Sequence, residues 1–330
     1  MRFTSDEDPK LSEKVAMKLS AVQPVESVRS PYASSPSVPP QGTPTVPTIK
    51  ENESEVVFDM NPTLNTLGEI LNGPLLTPSS CLDPSISYTI LQRLQLALEN
   101  YYISPEMSFT EAVDISGMLK DMESVIIQSC RFIMNCEQFA KLPLMDKWRL
   151  FQKGAMSSFN IVRVYQCIEC FGPDYKDPRI MCGQNFYTTI EKCAYDTSKM
   201  NPAAQQNLSK LTRPFFEKFY YGCLRPARKM EITKVEIVYM VAVLFLRTEE
   251  NSEISDSSKE ICQRVLEQLG DELYYHYKHV MRLENYVNRL LTIGKILEDS
   301  EHMNTMRKEF VVVAKVFDIF SCSLFLPEYF

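Results

Sequence analysis

Proline and aromatic residues are distributed very unevenly along this chain of 330 residues. Twelve of the 20 prolines lie in the first 84 residues, which hold only three of the 35 aromatic residues. Because such a segment buries too little apolar surface to offset its chain entropy, we expect residues 1–84 to form a disordered Pro/Ser-rich tail. Residues 85–330 are rich in aromatics and long enough to form one sizeable core. The sequence therefore predicts one globular domain behind a tail.

Apolar residues in the predicted domain recur at helical spacing, with few strand signals. A long helix is predicted from about residue 109 to residue 133, with Thr110 as its N-cap. A second follows Pro143 and runs to Phe171, where Gly172 and Pro173 end it. Further helices are predicted at 86–102, 185–196, 203–224, 232–247, 257–280 and 281–320. We therefore expect an all-α fold of about ten to twelve helices.

Charge, cysteine usage and hydropathy restrict the class of protein. The net charge of −7 and the pI near 5.3 argue against direct nucleic-acid binding. Residues 1–18 are charged and have no apolar stretch of the kind that a signal peptide needs. The longest apolar run, Val235–Leu246, is far short of the ~20 residues that span a bilayer. All ten cysteines lie at or beyond Cys81 without a disulfide framework, so we expect reduced thiols in the nucleus or cytosol and no membrane partner.

Catalytic and metal-binding motifs find little support in this sequence. It has no P-loop, no G-x-G-x-x-G and no G-x-S-x-G, so we expect neither enzymatic activity nor a cofactor. Cys167 and Cys170 form the only C-x-x-C, and a zinc site there would need two further ligands. Buried structural cysteines are the favoured interpretation. His276 and His279 lack a partnering carboxylate cluster, so no metal site is expected.

The segment Phe132–Phe151 reads FIMNCEQFAKLPLMDKWRLF. It resembles the signature of nuclear hormone receptor ligand-binding domains, F-x-x-L-x-x-x-D-[QK]-x-x-L-[LF]. The matching positions are Phe139, Leu142, Asp146, Lys147, Leu150 and Phe151. The Asp-Lys pair resembles the large nematode branch of that family. The resemblance implies a three-layer helical sandwich.

The last six residues, Phe325–Phe330, follow the pattern ΦΦxEΦΦ, where Φ is a bulky apolar residue. In nuclear receptors that pattern is the activation helix, which closes over the pocket. Its glutamate, here Glu328, then binds the N-terminal N–H groups of a partner's LxxLL helix. An arbitrary apolar C-terminus is the alternative interpretation. The distance of some 180 residues from the first signature favours the receptor.

The resemblance also implies a coregulator groove. Its candidate residues are Cys130, Met134, Lys147, Trp148, Phe151 and Glu328. The sequence departs from the family pattern at Met134 and Gln152, where basic residues are usual. The missing cation weakens the cap on an LxxLL helix by an effect on the order of 0.3–1 kcal/mol. Arg131 and Lys153 lie close enough in sequence to substitute.

A ligand pocket is implied between the two long helices and the last one. Its candidate residues are Met118, Met122, Val125, Ile126, Met156, Phe159, Asn160, Arg163, Gln166, Val313 and Phe317. Such pockets are apolar with a few polar anchors, and Arg163 is a candidate partner for a carboxylate ligand. In the alternative interpretation the apolar candidates are ordinary residues of the hydrophobic core, and Arg163 reaches solvent or pairs with Glu169.

The predicted tail contains one short motif. Leu67–Leu71 reads L-x-x-I-L, a conservative variant of the LxxLL motif that a coactivator groove accepts. It is a candidate to dock within the same chain on Lys147, Trp148 and Phe151, or on another receptor. A short packing turn is the alternative.

The resemblance implies a nuclear protein that regulates transcription through ligand-controlled coregulator recruitment and dimerises through the helix at 281–320. One alternative is a ligand-free module that dimerises with or sequesters other receptors or coregulators. Another is an unrelated helical scaffold. Receptors of this family carry a DNA-binding module of two four-cysteine zinc sites, and no cysteine precedes Cys81. No direct DNA contact is therefore expected from this sequence, whether it is an isoform, a fragment or a true loss.

Overall fold

The computed structural model describes residues 49–52, 55–58, 61–76, 87–99, 101, 103, 106–196, 212–248 and 253–316. Nine helices lie within these ranges. They are α1 (Asn61–Asn72), α2 (Ile90–Leu98), α3 (Ile115–Ile133), α4 (Glu137–Ala140), α5 (Leu144–Phe171), α6 (212–229), α7 (Lys234–Leu246), α8 (Asp256–Tyr275) and α9 (Val287–Val316). Helix α6 contains a π-helical stretch, Lys218–Leu224, and α8 continues into a second one, His276–Val280. The predicted all-α fold is confirmed.

Short strands accompany the helices. They are β1 (Ile49–Asn52), β2 (Glu55–Phe58), β3 (Ser108–Phe109), β4 (Ala112–Val113), β5 (Arg179–Met181), β6 (Phe186–Thr189) and β7 (Ala194–Tyr195). Strands β1 and β2 form an antiparallel pair. Strand β6 lies between β3, which is parallel to it, and β5, which is antiparallel. Strands β4 and β7 pair in parallel.

Helix α5 is the centre of the domain. It contacts α3, α7 and α9, and α7 in turn contacts α2 and α8. The predicted end of α5 is confirmed at Gly172, whose φ of 83° suits glycine. The close approach of α5 to α7 requires Gly154, because a Cβ there would lie 2.7 Å from the carbonyl oxygen of Leu244. Beside it the rings of Phe151 and Phe245 stack at 5.4 Å.

The N-terminus of α2 is closed by a residue distant in sequence. Thr89 and Gln92 form a capping box. The carboxylate of Glu272, on α8, accepts the backbone N–H groups of Ile90 at 3.1 Å and Leu91 at 2.7 Å. Together these contacts satisfy donors that a helix start leaves unpaired.

Two details of the helix prediction are wrong. Residues 185–196 form β6 and β7 instead of a helix, because the run Phe186–Thr189 is rich in β-favouring side chains and pairs with two other strands. Thr110 does not cap α3. The cap is Asp114, whose Oδ2 accepts the N–H of Gly117 at 2.9 Å, and Thr110 lies between the short strands β3 and β4.

Helix α1 lies in the segment for which we expected disorder. Leu67 and Leu71 are fully buried, Leu64 is nearly so, and the helix contacts α3 and α5. The segment folds despite its flanking prolines, because these three leucines fall on one helical face. The ordered part of the chain therefore includes residues before the predicted boundary at 85.

Candidate functional site

A buried ion pair joins the two long helices. Nη2 of Arg163 on α5 contacts Oδ2 of Asp121 on α3, and the two side chains are 6% and 3% exposed. The Arg163 guanidinium also lies 5.1 Å from the ring centre of Phe159. Glu169 pairs instead with Lys234, at 3.5 Å. The candidate ligand anchor thus already has an acidic partner within the protein.

A second buried arginine also lies near the ring of Phe159. Arg307 on α9 is 6% exposed, and its Nη2 donates to Oδ1 of Asn160 at 3.0 Å. Its guanidinium lies 5.9 Å from the ring centre of Phe159 and 5.1 Å from that of Phe215. Burial lowers the pKa of Arg307 to about 10, and Tyr195 acts in the opposite direction. No carboxylate in the described parts of the chain forms an ion pair with Arg307, and its Nη1 has no hydrogen-bond partner there.

Asn160 is held in place from α9 as well. Its Nδ2 donates to the carbonyl oxygen of Ser300 at 3.1 Å, and the hydroxyl of Ser300 donates to the carbonyl oxygen of Ser157 at 2.8 Å. Asn160 is 1% exposed. The structure therefore joins Asn160 and Arg307 by a hydrogen bond, and places the guanidinium groups of Arg163 and Arg307 near the same ring, that of Phe159.

The remaining pocket candidates are mostly apolar core residues. Met122, Val125, Ile126, Met156 and Phe159 are buried, and Gln166 is buried beside them. Met118 is half-buried, and its sulfur accepts the hydroxyl of Tyr195 at 3.4 Å. Val313 lies on α9, and Phe317 falls outside the described residues. The carboxylate-anchor role predicted for Arg163 stays a prediction.

A cavity of about 270 Å³ opens beside the ion pair. It lies between the N-terminal end of α3 and the turn 182–186, and its walls include Met118, Asp121 and Cys182. Oδ1 of Asp121 is buried and makes no hydrogen bond to any part of the chain that the structure describes. The cavity therefore borders on a polar atom that has spare capacity to accept a hydrogen bond.

The signature residues hold the fold together. Asp146 accepts hydroxyl groups of Ser255 at 2.6 Å and Ser258 at 2.7 Å, and so fastens the start of α8. Burial opposes ionisation of Asp146, but these hydrogen bonds lower its pKa overall. Nζ of Lys147 donates to the carbonyl oxygen of Ala140 at 3.2 Å, and burial lowers its pKa.

The candidate groove residues that the structure describes are buried within the protein. Cys130, Met134, Lys147, Trp148 and Phe151 are each at most 5% exposed. Helix α1 packs along α3. After the end of α1, the backbone N–H of Leu76 donates to the carbonyl oxygen of Met134 at 3.1 Å. Glu328 and the rest of the predicted activation helix fall outside the described residues.

Sequence reasoning missed a second buried charge network. Glu236 on α7 is fully buried and accepts the side chains of Arg289 at 2.7 Å and Tyr277 at 2.8 Å. The signal was present, since Glu236 is the one charge inside the apolar run Val235–Leu246. Arg228 is another buried charge, since it is 1% exposed and donates to the carbonyl oxygen of Asp177 at 2.8 Å.

No helix in the described ranges is both long and apolar enough to cross a membrane. Nor does that part of the chain bring three or more His, Cys, Asp or Glu residues together as a possible metal site.

Residues 89–317 match the family model for the ligand-binding domain of nuclear hormone receptors. The chain belongs to this family. It is 20% identical to nuclear hormone receptor family member nhr-106 of Caenorhabditis elegans over 248 residues, which cover 74% of this chain and 64% of nhr-106. It is 21% identical to nhr-213 of the same organism over 185 residues, which cover 56% of this chain and 42% of nhr-213. The chain thus spans about two fifths to two thirds of these relatives.

Proposed function

We propose that this receptor domain acts in the nucleus and recruits coregulator proteins under the control of a lipophilic ligand bound between α3, α5 and α9. The domain would comprise α1 and residues 85–330. The observation that carries the ligand proposal is Arg307, a buried cation without a carboxylate partner in the described ranges. A charge in an apolar interior is costly unless it is paired. A ligand with an acidic group would supply the missing partner.

Arg163 and Arg307 have different roles in this proposal. Arg163 is neutralised by Asp121, so a second carboxylate would compete with an existing pair. Nη1 of Arg307 has no hydrogen-bond partner in the described ranges, and Asn160 fixes the orientation of its guanidinium. The apolar part of the ligand would contact Met122, and the acidic group would bind Arg307.

Two probes of equal chain length test the ligand proposal. Dodecanoate and dodecanol differ only in their polar end, and thermal unfolding of the full chain reports binding of either. Dodecanoate should raise the Tm because its carboxylate can pair with Arg307, and dodecanol should not because it has no carboxylate. A ligand at about 100 times its Kd stabilises the folded state by ~2.7 kcal/mol. The variant Arg307→Met should lose the difference, whereas Arg247→Met, at a surface pair, should keep it. Equal effects of the two probes on the wild type would overturn the acidic-ligand proposal.

Coregulator recruitment needs a separate measurement. A fluorescein-labelled 15-residue peptide with one LxxLL motif should bind the full chain in fluorescence anisotropy. Removing residues 324–330 should weaken that binding, since the predicted activation helix supplies Glu328. Affinity that is indifferent to this truncation would exclude the proposed use of the activation helix.

Dimerisation with a second receptor, with or without ligand, is supported by a different observation. Val287 and Leu291 on α9 are 56% and 67% exposed, and Leu290 is 38% exposed. In the described part of the chain, nothing lies within 4 Å of a Cβ at Gly294, in the same stretch. An exposed apolar face of this kind is typical of an interaction surface. The double variant Leu290→Asp/Leu291→Asp should abolish concentration-dependent dimer formation in analytical ultracentrifugation, and an unchanged dimer fraction would exclude this face.

A further inference from the structure

Two candidate groove residues lie at the C-terminal end of α3. Cys130 is on the helix, and Met134 directly follows its last residue, Ile133, with its N–H still bonded to the carbonyl oxygen of Cys130 at 3.2 Å. Glu123 is not a groove candidate, but it lies seven residues before Cys130 and so on the same face of α3. Cys130 and Met134 are fully buried and Glu123 is 8% exposed. We refer to this face, together with the adjoining part of α5, as the α3–α5 surface. It is the surface on which the family resemblance locates coregulator binding.

Helix α1 lies on this surface along its length. At its first turn the hydroxyl of Thr63 donates to the carboxylate of Glu123. Beyond its last turn the N–H of Leu76 donates to the carbonyl oxygen of Met134 at 3.1 Å. These two contacts make α1 run parallel to α3, and Leu76, four residues beyond the end of α1, lies at Met134, where the family usually has a basic residue.

The side chains of α1 divide as those of a docked amphipathic helix do. Leu67 and Leu71 are fully buried, Ile70 is half-buried, and Asn65 and Glu69 are exposed. Recognition of a helix in a groove uses anchors at such i, i+3 and i+4 spacings. The two leucines of the L-x-x-I-L motif are among the buried positions of α1, together with Thr63, Leu64 and Gly68.

We propose that α1 is an intramolecular occupant of the coregulator surface, and that an LxxLL helix binds by displacing it. This inference rests on the proposed coregulator function. It also accounts for Met134. A partner from solution benefits from a lysine that caps its last carbonyls, whereas a helix tethered in the same chain is held at an effective concentration in the millimolar range. The tethered helix therefore needs no lysine to cap its last carbonyl groups.

The test compares two peptides and two variants of the full chain. One peptide copies residues 59–76, and the other carries an LxxLL motif. Leu67→Ala/Leu71→Ala removes the anchors of α1, and Asn65→Ala/Glu69→Ala changes its exposed face as a matched control. Both peptides should bind the leucine variant at least tenfold more tightly than the wild type and should compete with each other. The control variant should match the wild type.

Each outcome separates this inference from the proposed function. Equal LxxLL affinity of the folded leucine variant and the wild type would overturn intramolecular occupancy, while coregulator binding itself would stand. If the leucine variant bound the peptide of residues 59–76 but not the LxxLL peptide, occupancy would be supported and the coregulator function overturned.

Hydrogen exchange of the wild type provides a measurement that needs no variant. Saturating LxxLL peptide should increase deuterium uptake in Asn61–Asn72, because those amides lose their packed environment when α1 leaves. Uptake that stays unchanged, or falls, in this helix at full peptide occupancy would overturn displacement. This readout remains valid if the leucine variant fails to fold.

Discussion

Replacing Arg289 with methionine should destabilise the domain more than the loss of any surface ion pair. Glu236 accepts Nε of Arg289 at 2.8 Å and Nη2 at 2.7 Å, and it is fully buried, whereas the Arg289 side chain is 18% exposed. Arg289→Met leaves that carboxylate inside the protein with Tyr277 and Thr233 as its remaining partners in the described ranges. It also frees the carbonyl oxygen of Met230, which accepts Nη1 at 2.7 Å.

The size of the effect follows from this geometry. Removing one partner of a buried pair costs ~3–5 kcal/mol, and the partial exposure of Arg289 favours the lower end. A loss of about 3 kcal/mol corresponds to a fall in Tm of roughly 6–12 °C for a domain of this size. The matched control is Arg247→Met, since Arg247 and Glu301 pair at 3.1 Å with side chains 31% and 44% exposed. Such a surface pair contributes at most about 1 kcal/mol.

The pH dependence of the same pair provides an independent check. Burial alone would raise the pKa of Glu236, but hydrogen bonds from Arg289, Thr233 and Tyr277 hold it below its ordinary value of 4.5. A carboxyl with a lowered pKa stabilises the fold above its unfolded pKa, and this stabilisation is lost as pH falls through the folded value. In urea titrations the difference between wild type and Arg289→Met should be largest at pH 7 and shrink below pH 4.5. Equal losses of unfolding free energy in Arg289→Met and Arg247→Met would refute this reasoning. A difference between wild type and Arg289→Met that does not change with pH would also refute it.

Two further predictions concern stability and are read by urea unfolding. Gly154→Ala should lower the free energy of unfolding by about 1–3 kcal/mol, because the added Cβ would meet Leu244. Gly270→Ala, with open space around it, should raise the free energy of unfolding by about 0.5–1 kcal/mol. Equal effects of the two substitutions would contradict the close approach of α5 to α7. Asp146→Ala should cost about 1–3 kcal/mol, since it leaves the buried hydroxyl of Ser258 without its acceptor. An unchanged unfolding midpoint for Asp146→Ala would show that the signature aspartate does not hold α8.

Long, strongly periodic helices were predictable from sequence. Helix α5 begins after Pro143 and ends at Gly172 as predicted, because both boundaries are set by local backbone chemistry. The helix predicted at 185–196 failed because strand pairing with residues 179–181 and 108–109 decides its conformation. Those partners are not visible in a local window.

The candidate site was predictable in part for the same reason. The burial of Met122, Val125 and Ile126 follows from helical spacing alone. The ion pair of Arg163 with Asp121 joins residues 42 positions apart, so sequence could identify the cation but not its partner. Arg307 showed no signal at all, because its burial depends on how α9 crosses α5.

The carboxylate of Glu272 at the start of α2 also has a consequence for synthesis of the protein. It binds N–H groups about 182 residues earlier in the chain. At a synthesis rate of about 5–20 residues per second, α2 leaves the ribosome roughly 10–40 s before its partner exists. During that time Leu91 and Leu94, which are buried in the folded domain, have no core to enter. Nascent chains of this receptor should therefore bind chaperones until α8 has emerged, and release from them should coincide with the emergence of residue 272 and not with that of α3 or α5.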